Sequence, residues 1–377
     1  MKIARVEAHA LFPENHIKIA GIDRKLPQEM AVVEIETGDG HIGHGMTAIC
    51  PSVTVAALVN SKIGPMIKGM DARAIVPVWT AIYTDLCQRG HTGIAYHALS
   101  MIDIALWDIR GKALGEPVWR LLGGARNRVP CYVTMGLPSF EREQLAEIAK
   151  HWVGLGFGGL KIVVGVIARH QADKFANVSD ALEEDARRVK AMRDAVGDKI
   201  EIAVDINCVL DDTNALQLAQ LLEPYDVHFI EEPTQDNDPA RMADFRRKAR
   251  QLVATGQSLG GLSRFGAILA HGAADILQPN VTNCGGYTGG LRVADAALAF
   301  GKPITNGGGA TLHTAHLIAG AANGIACEWH PYMVAGGMAS VFKHTTEPVN
   351  GWLEMSEKPG LGFELNPDAL KTFKMPG

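Results

Sequence analysis

The chain has no apolar run near the roughly 20 residues that cross a bilayer, and its charges are not segregated. Its 36 Lys and Arg stand against 41 Asp and Glu, for a formal net charge of −5 with both signs dispersed. No membrane span is expected, and no nucleic-acid partner, because no basic face is available to neutralise phosphates. A small-molecule partner is expected instead. Six cysteines (Cys50, Cys87, Cys131, Cys208, Cys284, Cys327) include no Cys-x-x-Cys pair, and Met1-Lys2-Ile3-Ala4-Arg5 reads as a strand and not as a signal peptide, so a cytoplasmic, reducing setting is expected. There is no low-complexity segment, and no His-x-His strand end of the kind a barrel metallohydrolase carries. With 47% apolar and 20% charged residues in 377, the chain is long enough for two cores.

What is present changes rhythm near Leu121-Leu122-Gly123-Gly124. Before it, Ile3 to Leu11 and Ala31 to Glu36, the latter leading into Gly38-Asp39-Gly40, predict an antiparallel sheet. Helical periodicity follows from about Val53 to Leu114, and Ala98, Leu99, Ile102, Ala105, Leu106 and Ile109 mark one buried face. His16 to Gln28 and Cys50-Pro51-Ser52 read as loops able to cover a barrel mouth. After the boundary, short apolar strands alternate with helices. Strands are predicted near Val129–Thr134, Gly159–Val164, Ile200–Asp205, Val227–Glu231, Leu252–Thr255, Asp275–Leu277, Pro303–Thr305 and Ile325–Glu328. The expected fold is α/β: a modified TIM barrel, (β/α)7β, over 125–339, with an α+β capping domain over 1–124 completed by a C-terminal tail, 340–377.

Polar residues keep a beat along the barrel stretch. Asp205, Glu231, Gln257 and Asn280 each follow an apolar run, at steps of 26, 26 and 23 residues, about one βα unit. In a parallel barrel, residues at equal phase gather at the C-terminal mouth, where chemistry sits. Two carboxylates with two amides suit a hard divalent cation such as Mg²⁺.

Further motifs fall in order: Ala98-Leu99-Ser100-Met101-Ile102-Asp103-Ile104-Ala105-Leu106-Trp107-Asp108 running on to Gly111-Lys112 and Gly115-Glu116-Pro117, then Leu121-Leu122-Gly123-Gly124, Asp205-Ile206-Asn207, Glu231-Glu232-Pro233, Gly285-Gly286 and Pro359-Gly360-Leu361-Gly362. In this order the chain resembles the enolase superfamily, in its mandelate racemase and muconate lactonizing enzyme branch, over nearly its whole length. The resemblance implies Mg²⁺-assisted removal of the proton α to a substrate carboxylate, and assembly into homo-oligomers. Asp205 and Glu231 match the first two metal ligands, and Gln257 stands where the third, normally a Glu, is expected. Lys161-Ile162-Val163 replaces a Lys-x-Lys whose second Lys is the usual base, so Lys161 either orders the ligands or has taken over proton transfer. Asn280 and Thr305-Asn306-Gly307 stand where other members keep an Asp and His dyad. Glu328 matches a position that donates a hydrogen bond to the substrate carboxylate, as a protonated acid. Tyr132 and Thr134 point inward, and with Lys18, Asn207 and Asn306 they are candidates for substrate contact; His16, Lys18 and Lys25 lie where the family has a specificity loop. His313 and His316 share a helical face and are expected to pack. Cys208 and Cys284 are expected to be buried thiols.

Two functions stay open on the sequence alone. One is a lyase or isomerase, a dehydratase or a racemase or epimerase, acting on a hydroxy acid, acid sugar or amino-acid derivative through a metal-stabilised enolate. The other is a degenerate barrel that binds a carboxylate or metal without that chemistry, suggested by Val163, Gln257 and Asn280. Substitution to Gln and Asn preserves shape and hydrogen bonding, which favours the enzyme.

Overall fold

A computed structural model describes the chain except residues 89, 91, 167–174, 334–336 and 375–377. Strands β1 (Ile3–Leu11), β4 (Met30–Thr37) and β5 (Ile42–Ala48) form an antiparallel sheet in the order β1-β4-β5. Its inner residues, among them Val32, Val33, Ile35 and Met46, are fully buried. The stretch expected as a loop from His16 to Gln28 is instead a hairpin, β2 (Glu14–Ile19) and β3 (Ile22–Pro27). Ala20 and Gly21 make its two-residue turn, both at positive φ (48° and 76°), the geometry whose twist suits a tight hairpin. Its charges lie on the outer face and pair across the strands, Lys25 with Glu14 and His16 with Asp23, while Asn15, Ile17 and Ile22 face inward. Polarity concealed the alternation.

Helix α1 (Ile94–Leu114) was expected to bury one face and buries nearly all of them. The cap sheet lies against one side, so closely that a Cβ on Gly43 or Gly45 would land on the carbonyl oxygens of Ala105 and Met101. On the other side Asp103 accepts the Thr288 N–H (2.9 Å). Asp108 accepts the N–H groups of His44 (3.0 Å) and Leu361 (2.9 Å) and the Lys112 ammonium (2.7 Å). Two buried acids thus fasten cap, barrel and tail to one helix through charge-assisted hydrogen bonds.

The barrel strands are β6 (Arg128–Gly136), β7 (Gly159–Val163), β8 (Glu201–Asp205), β9 (Val227–Glu231), β10 (Leu252–Thr255), β11 (Ile276–Leu277), β12 (Ile304–Thr305) and β13 (Gly324–Trp329). All are parallel, each pairs with the next, and β13 closes on β6. Seven helices alternate with them: α2 (Arg142–Gly154), α3 (Val178–Val196), α4 (Asp212–Leu222), α5 (Pro239–Lys248), α6 (Leu262–Ala270), α7 (Gly286–Ala299) and α8 (Thr311–Gly320). This is the (β/α)7β barrel under an N-terminal capping domain. The tail both returns to the cap, where Phe12 N–H donates to Phe373 O (2.9 Å), and lends Trp352–Glu354 to the outer edge of β6. The last three residues of the expected tail lie outside the described ones. His313 packs against Phe342 and Phe363 in the core, as its spacing suggested.

Because Gly45 leaves no space for a side chain, Gly45→Ala must push the sheet off α1. The expected cost is about 1–3 kcal/mol or more of overpacking, read as a lower midpoint in urea denaturation; an unchanged midpoint would contradict this packing.

Candidate active site at the barrel mouth

Register brings the site together. Lys161 lies beside Thr134 on β6 and Ala203 on β8, and Asp205 lies beside Val163 on β7 and Glu231 on β9. The Lys161 ammonium, 1% exposed, sits 2.7 Å from Glu231 Oε2, 2.8 Å from Glu328 Oε1 and 3.5 Å from Asp205 Oδ2. Burial would push Lys161 down, but Glu231, Glu328 and Asp205 outweigh it and hold it well above the usual lysine value. It is a fixed positive charge.

Glu328 accepts hydrogen bonds from the Thr134 hydroxyl and from Gly309 N–H (3.0 Å), and its own N–H donates to Asn306 Oδ1 (2.6 Å). Burial favours its neutral form, yet Lys161 and then His330 pull its carboxyl down to about 2. The expected protonated acid is therefore corrected to a carboxylate, because an ammonium lies within contact. The glycine turn supplies the one anion-binding N–H of Gly309, and the anion it binds is Glu328.

Glu231 behaves oppositely. Burial first, and then the charge of Asp205, push it well above the carboxylate range. Gln278 Nε2 donates to its Oε2 (2.8 Å), while its Oε1, also buried, has no partner among the described residues. Glu232, also buried and also raised by burial and Asp205, accepts from Gln257 Nε2 (2.9 Å) and Asn237 Nδ2 (2.9 Å). Three buried carboxyl groups, those of Asp205, Glu231 and Glu328, thus meet one ammonium, and that of Glu232 lies behind Gln257. Such a cluster is short of positive charge.

The Gln257 amide donates to Glu232 and, at 3.3 Å, to Asp205 Oδ2, which turns its Oε1 toward the glycine loop. A Cβ on Gly307 would lie 3.1 Å from both Gln257 Oε1 and the unpaired Glu231 Oε1. Two acceptor oxygens therefore border the Gly307 backbone, while Asp205 faces the amide nitrogen of Gln257. Among the described residues no three His, Cys, Asp or Glu side chains gather in ligand geometry; with Gln257 as third donor, the oxygen set fits a hard cation.

Other expected residues have supporting positions. The Tyr132 hydroxyl donates to Asn306 O (2.7 Å), and Asn280 Oδ1 accepts from Thr282 N–H (3.0 Å) and hydroxyl (2.8 Å). Asn306 is buried, whereas Asn207 is exposed, its N–H donating to Asp205 Oδ1 (2.8 Å). Lys18 is not brought to the cluster: its side chain is 66% exposed on the β2–β3 hairpin beside Asp23. Cys208, only half-buried, and Cys284 have thiols pushed far up by burial. Three residues went unnoticed as site members. Glu232 and Gln278 adjoin or alternate with residues already singled out. His330 lies two past Glu328, just beyond the expected strand end.

Beside the cluster lies a cavity of about 580 Å³, lined by Gln28 and Glu29 after the hairpin, by Cys50 and Pro51, and by Leu137, His330, Tyr332 and Met333 from the barrel. Gln28 Nε2 donates to Tyr332 O (2.8 Å) and Asn15 Nδ2 to Pro331 O (3.4 Å). The cap is thus latched to the end of β13 and forms one wall.

Residues 9–123 match the mandelate racemase / muconate lactonizing enzyme N-terminal domain, and residues 144–369 match the enolase C-terminal domain-like family. The chain belongs to this branch of the enolase superfamily. It is 30% identical to an arabinonate dehydratase of Saccharolobus solfataricus, over 92% of this chain and 91% of that protein. It is also 30% identical to a D-galactarolactone cycloisomerase of Agrobacterium fabrum, over the full length of both. Among solved structures it resembles a racemase from Streptomyces coelicolor with bound magnesium (28% identity, TM-score 0.87, 99% and 100% covered) and an L-talarate dehydratase from Polaromonas with Mg and L-glucarate (26%, 0.85, 100% and 98%). The general kind of activity in this company is lyase or isomerase. Within it, Val163 on β7 and the Asn306 to Gly309 loop leave this chain without titratable groups where the branch is expected to keep its bases.

Removing the single ammonium should be costly. Lys161→Met leaves Glu231 and Glu328 unpaired in the core, an expected loss of about 3–5 kcal/mol. Adding Glu328→Gln should return part of it. Denaturant unfolding of both variants checks this, and equal stability of Lys161→Met and the parent would refute the ion-pair reading.

Proposed function

We propose that this chain is a Mg²⁺-dependent lyase or isomerase that removes the proton α to the carboxylate of a hydroxylated monocarboxylic acid, an acid sugar being the best fit. The observation that carries this is the deficit of positive charge around Lys161, with the buried Glu231 Oε1 left without a partner among the described residues and Gln257 Oε1 close to it across Gly307. Asp205, Glu231 and Gln257 would hold the ion, which when bound supplies Lewis-acid polarisation of the substrate carboxylate.

The chain's own groups do the rest. Lys161, buried and held by Glu231, Glu328 and Asp205, acts through its fixed charge: negative charge grows on the substrate carboxylate as the α proton leaves, and a preset charge in a water-excluded site stabilises that change. Of the two roles open to Lys161, the ion pairs favour ordering and charge-bearing over proton transfer, since a lysine held this firmly charged is a poor base. Thr134, Gly309 and Asn306 keep Glu328 in place and so keep the ammonium aimed. Among its described residues the cavity wall is mostly apolar, with Leu26, Ile49, Leu137 and Met333 beside the polar Gln28, Glu29 and His330, and it offers no Lys or Arg to pair a second carboxylate.

Two outcomes test this. In D2O with Mg²⁺, five- and six-carbon aldonates should exchange or lose their α proton while aldarates of the same length should not; no exchange with any acid would favour the non-catalytic barrel. Gln257→Glu adds a third ligand charge and should tighten Mg²⁺ binding by roughly tenfold or more, measured by calorimetric titration. Equal affinity would remove Gln257 from the ligand set.

A further inference from the structure

We infer that the imidazole of His330 is the proton-transfer group of this site, taking over from strand β13 the task for which strand β7 has no side chain. The inference rests on the reading above, that an α proton is removed here.

Placement comes first. Along a strand, alternate side chains share a face and lie about 6.6 Å apart. On β13, Glu328 points inward to Lys161 and Trp329 is buried; His330 follows directly after the strand's last residue, near enough to Glu328, Lys161 and Asp205 to feel their charges. On β7 the alternate position after Lys161 is Val163, which has no titratable atom. His330 thus brings a titratable ring to the rim beside the charged cluster, where β7 brings none. The residue is half-buried, lines the cavity, and carries a buried Nδ1 with no hydrogen-bond partner among the described residues.

Of the other titratable groups of that wall, the Tyr332 hydroxyl donates to Met135 O (2.6 Å). Glu29 Oε1 accepts the Ser52 N–H (2.7 Å) and hydroxyl (2.8 Å), and burial pushes the Cys50 thiol up to about 12. Gln28 is an amide. Burial, against the opposing pull of Glu328, keeps the His330 imidazole below its usual value and therefore neutral near pH 7, with a lone pair to offer.

The step balances. An imidazole nitrogen takes the α proton, and the C–H electron pair enters the bond to the carboxylate carbon, leaving an enolate whose charge lies on the oxygens facing Lys161. In a dehydration the imidazolium then gives that proton to the β-hydroxyl. The hydroxyl departs as water with the C–O electron pair, and the enol tautomerises to a 2-oxo acid. One residue serves as acid and base on the same face, so a syn elimination is expected.

The experiment uses the full-length protein with Mg²⁺ and with arabinonate and gluconate in both enantiomeric series. His330→Gln and His330→Ala should lower α-proton exchange in D2O by about 10²–10⁴-fold. Both should keep Mg²⁺ affinity and acid binding within a few-fold by calorimetry, and added imidazole should restore part of the exchange to His330→Ala. His330→Gln keeps the bulk of the ring should the alanine variant not fold. Exchange at the parent rate in either variant overturns this proposal alone. A parent protein that exchanges no acid overturns the proposed function and this inference together.

Discussion

The mouth of this barrel depends on a shortage of positive charge. Asp205, Glu231 and Glu328 are buried around the Lys161 ammonium, and the buried Glu232 is joined to Asp205 through Gln257. An isolated ion in such surroundings would cost several kcal/mol, and an attractive partner repays this only where geometry is tight. The neighbouring features read as responses to that constraint. Thr134 and Gly309 satisfy Glu328, Gln278 satisfies one oxygen of Glu231, and Asn237 and Gln257 satisfy Glu232. The oxygen left over, Glu231 Oε1, marks where the remaining positive charge belongs.

The neutral residues that looked like losses in the sequence have a shared geometry. Gly307 and Gly308 lie so close to Gln257, Glu231 and Asn280 that a Cβ on either would press on them, within 2.7 Å of Asn280 Nδ2 in the case of Gly308. A histidine on this loop would have no room in the present arrangement. Asn306 gives its carbonyl to Tyr132 and its side-chain oxygen to the Glu328 N–H. The β12 loop has become a lid on the carboxylates and a brace for Glu328. Gln257 and Asn280 likewise meet specific polar partners, in Glu232 and Thr282, whereas the buried Asn306 Nδ2 meets none among the described residues.

Much of this was legible from the residues, and the parts that were not share a cause. The eight barrel strands stand within a residue or two of their predicted limits where a polar residue ends an apolar run, because a buried parallel strand has to be apolar until it reaches the mouth. The ring of Asp205, Glu231, Gln257 and Asn280 followed from that phase. The β2–β3 hairpin was missed because its outer face carries Glu14, His16, Lys18, Asp23 and Lys25, whose charges pair across strands that sequence order separates. Helix α1 was assigned one buried face because Asp103 and Asp108 resemble solvent-facing residues until the backbone N–H groups they bind are seen. Pairing partners distant in sequence are what a one-dimensional pattern leaves out.

His330 shows the same limit in a form that bears on chemistry. The apolar run of β13 ends at Trp329, so pattern alone gives no reason to carry the two-residue period further. Yet β13 closes the barrel against β6, with Glu328 beside Tyr132 and Trp329 beside Val133, and Tyr332 is tied by its hydroxyl to Met135 O (2.6 Å). The chain therefore stays against the rim beyond the strand's formal end, and His330 is held between two fixed points. A proton acceptor above the carboxylate site needs a rigid stem and the right height, and it can hang from any stave of the barrel that offers both. Strand β7 offers height without a titratable group at Val163, β12 offers a loop too close to admit one, and β13 offers an imidazole at the rim.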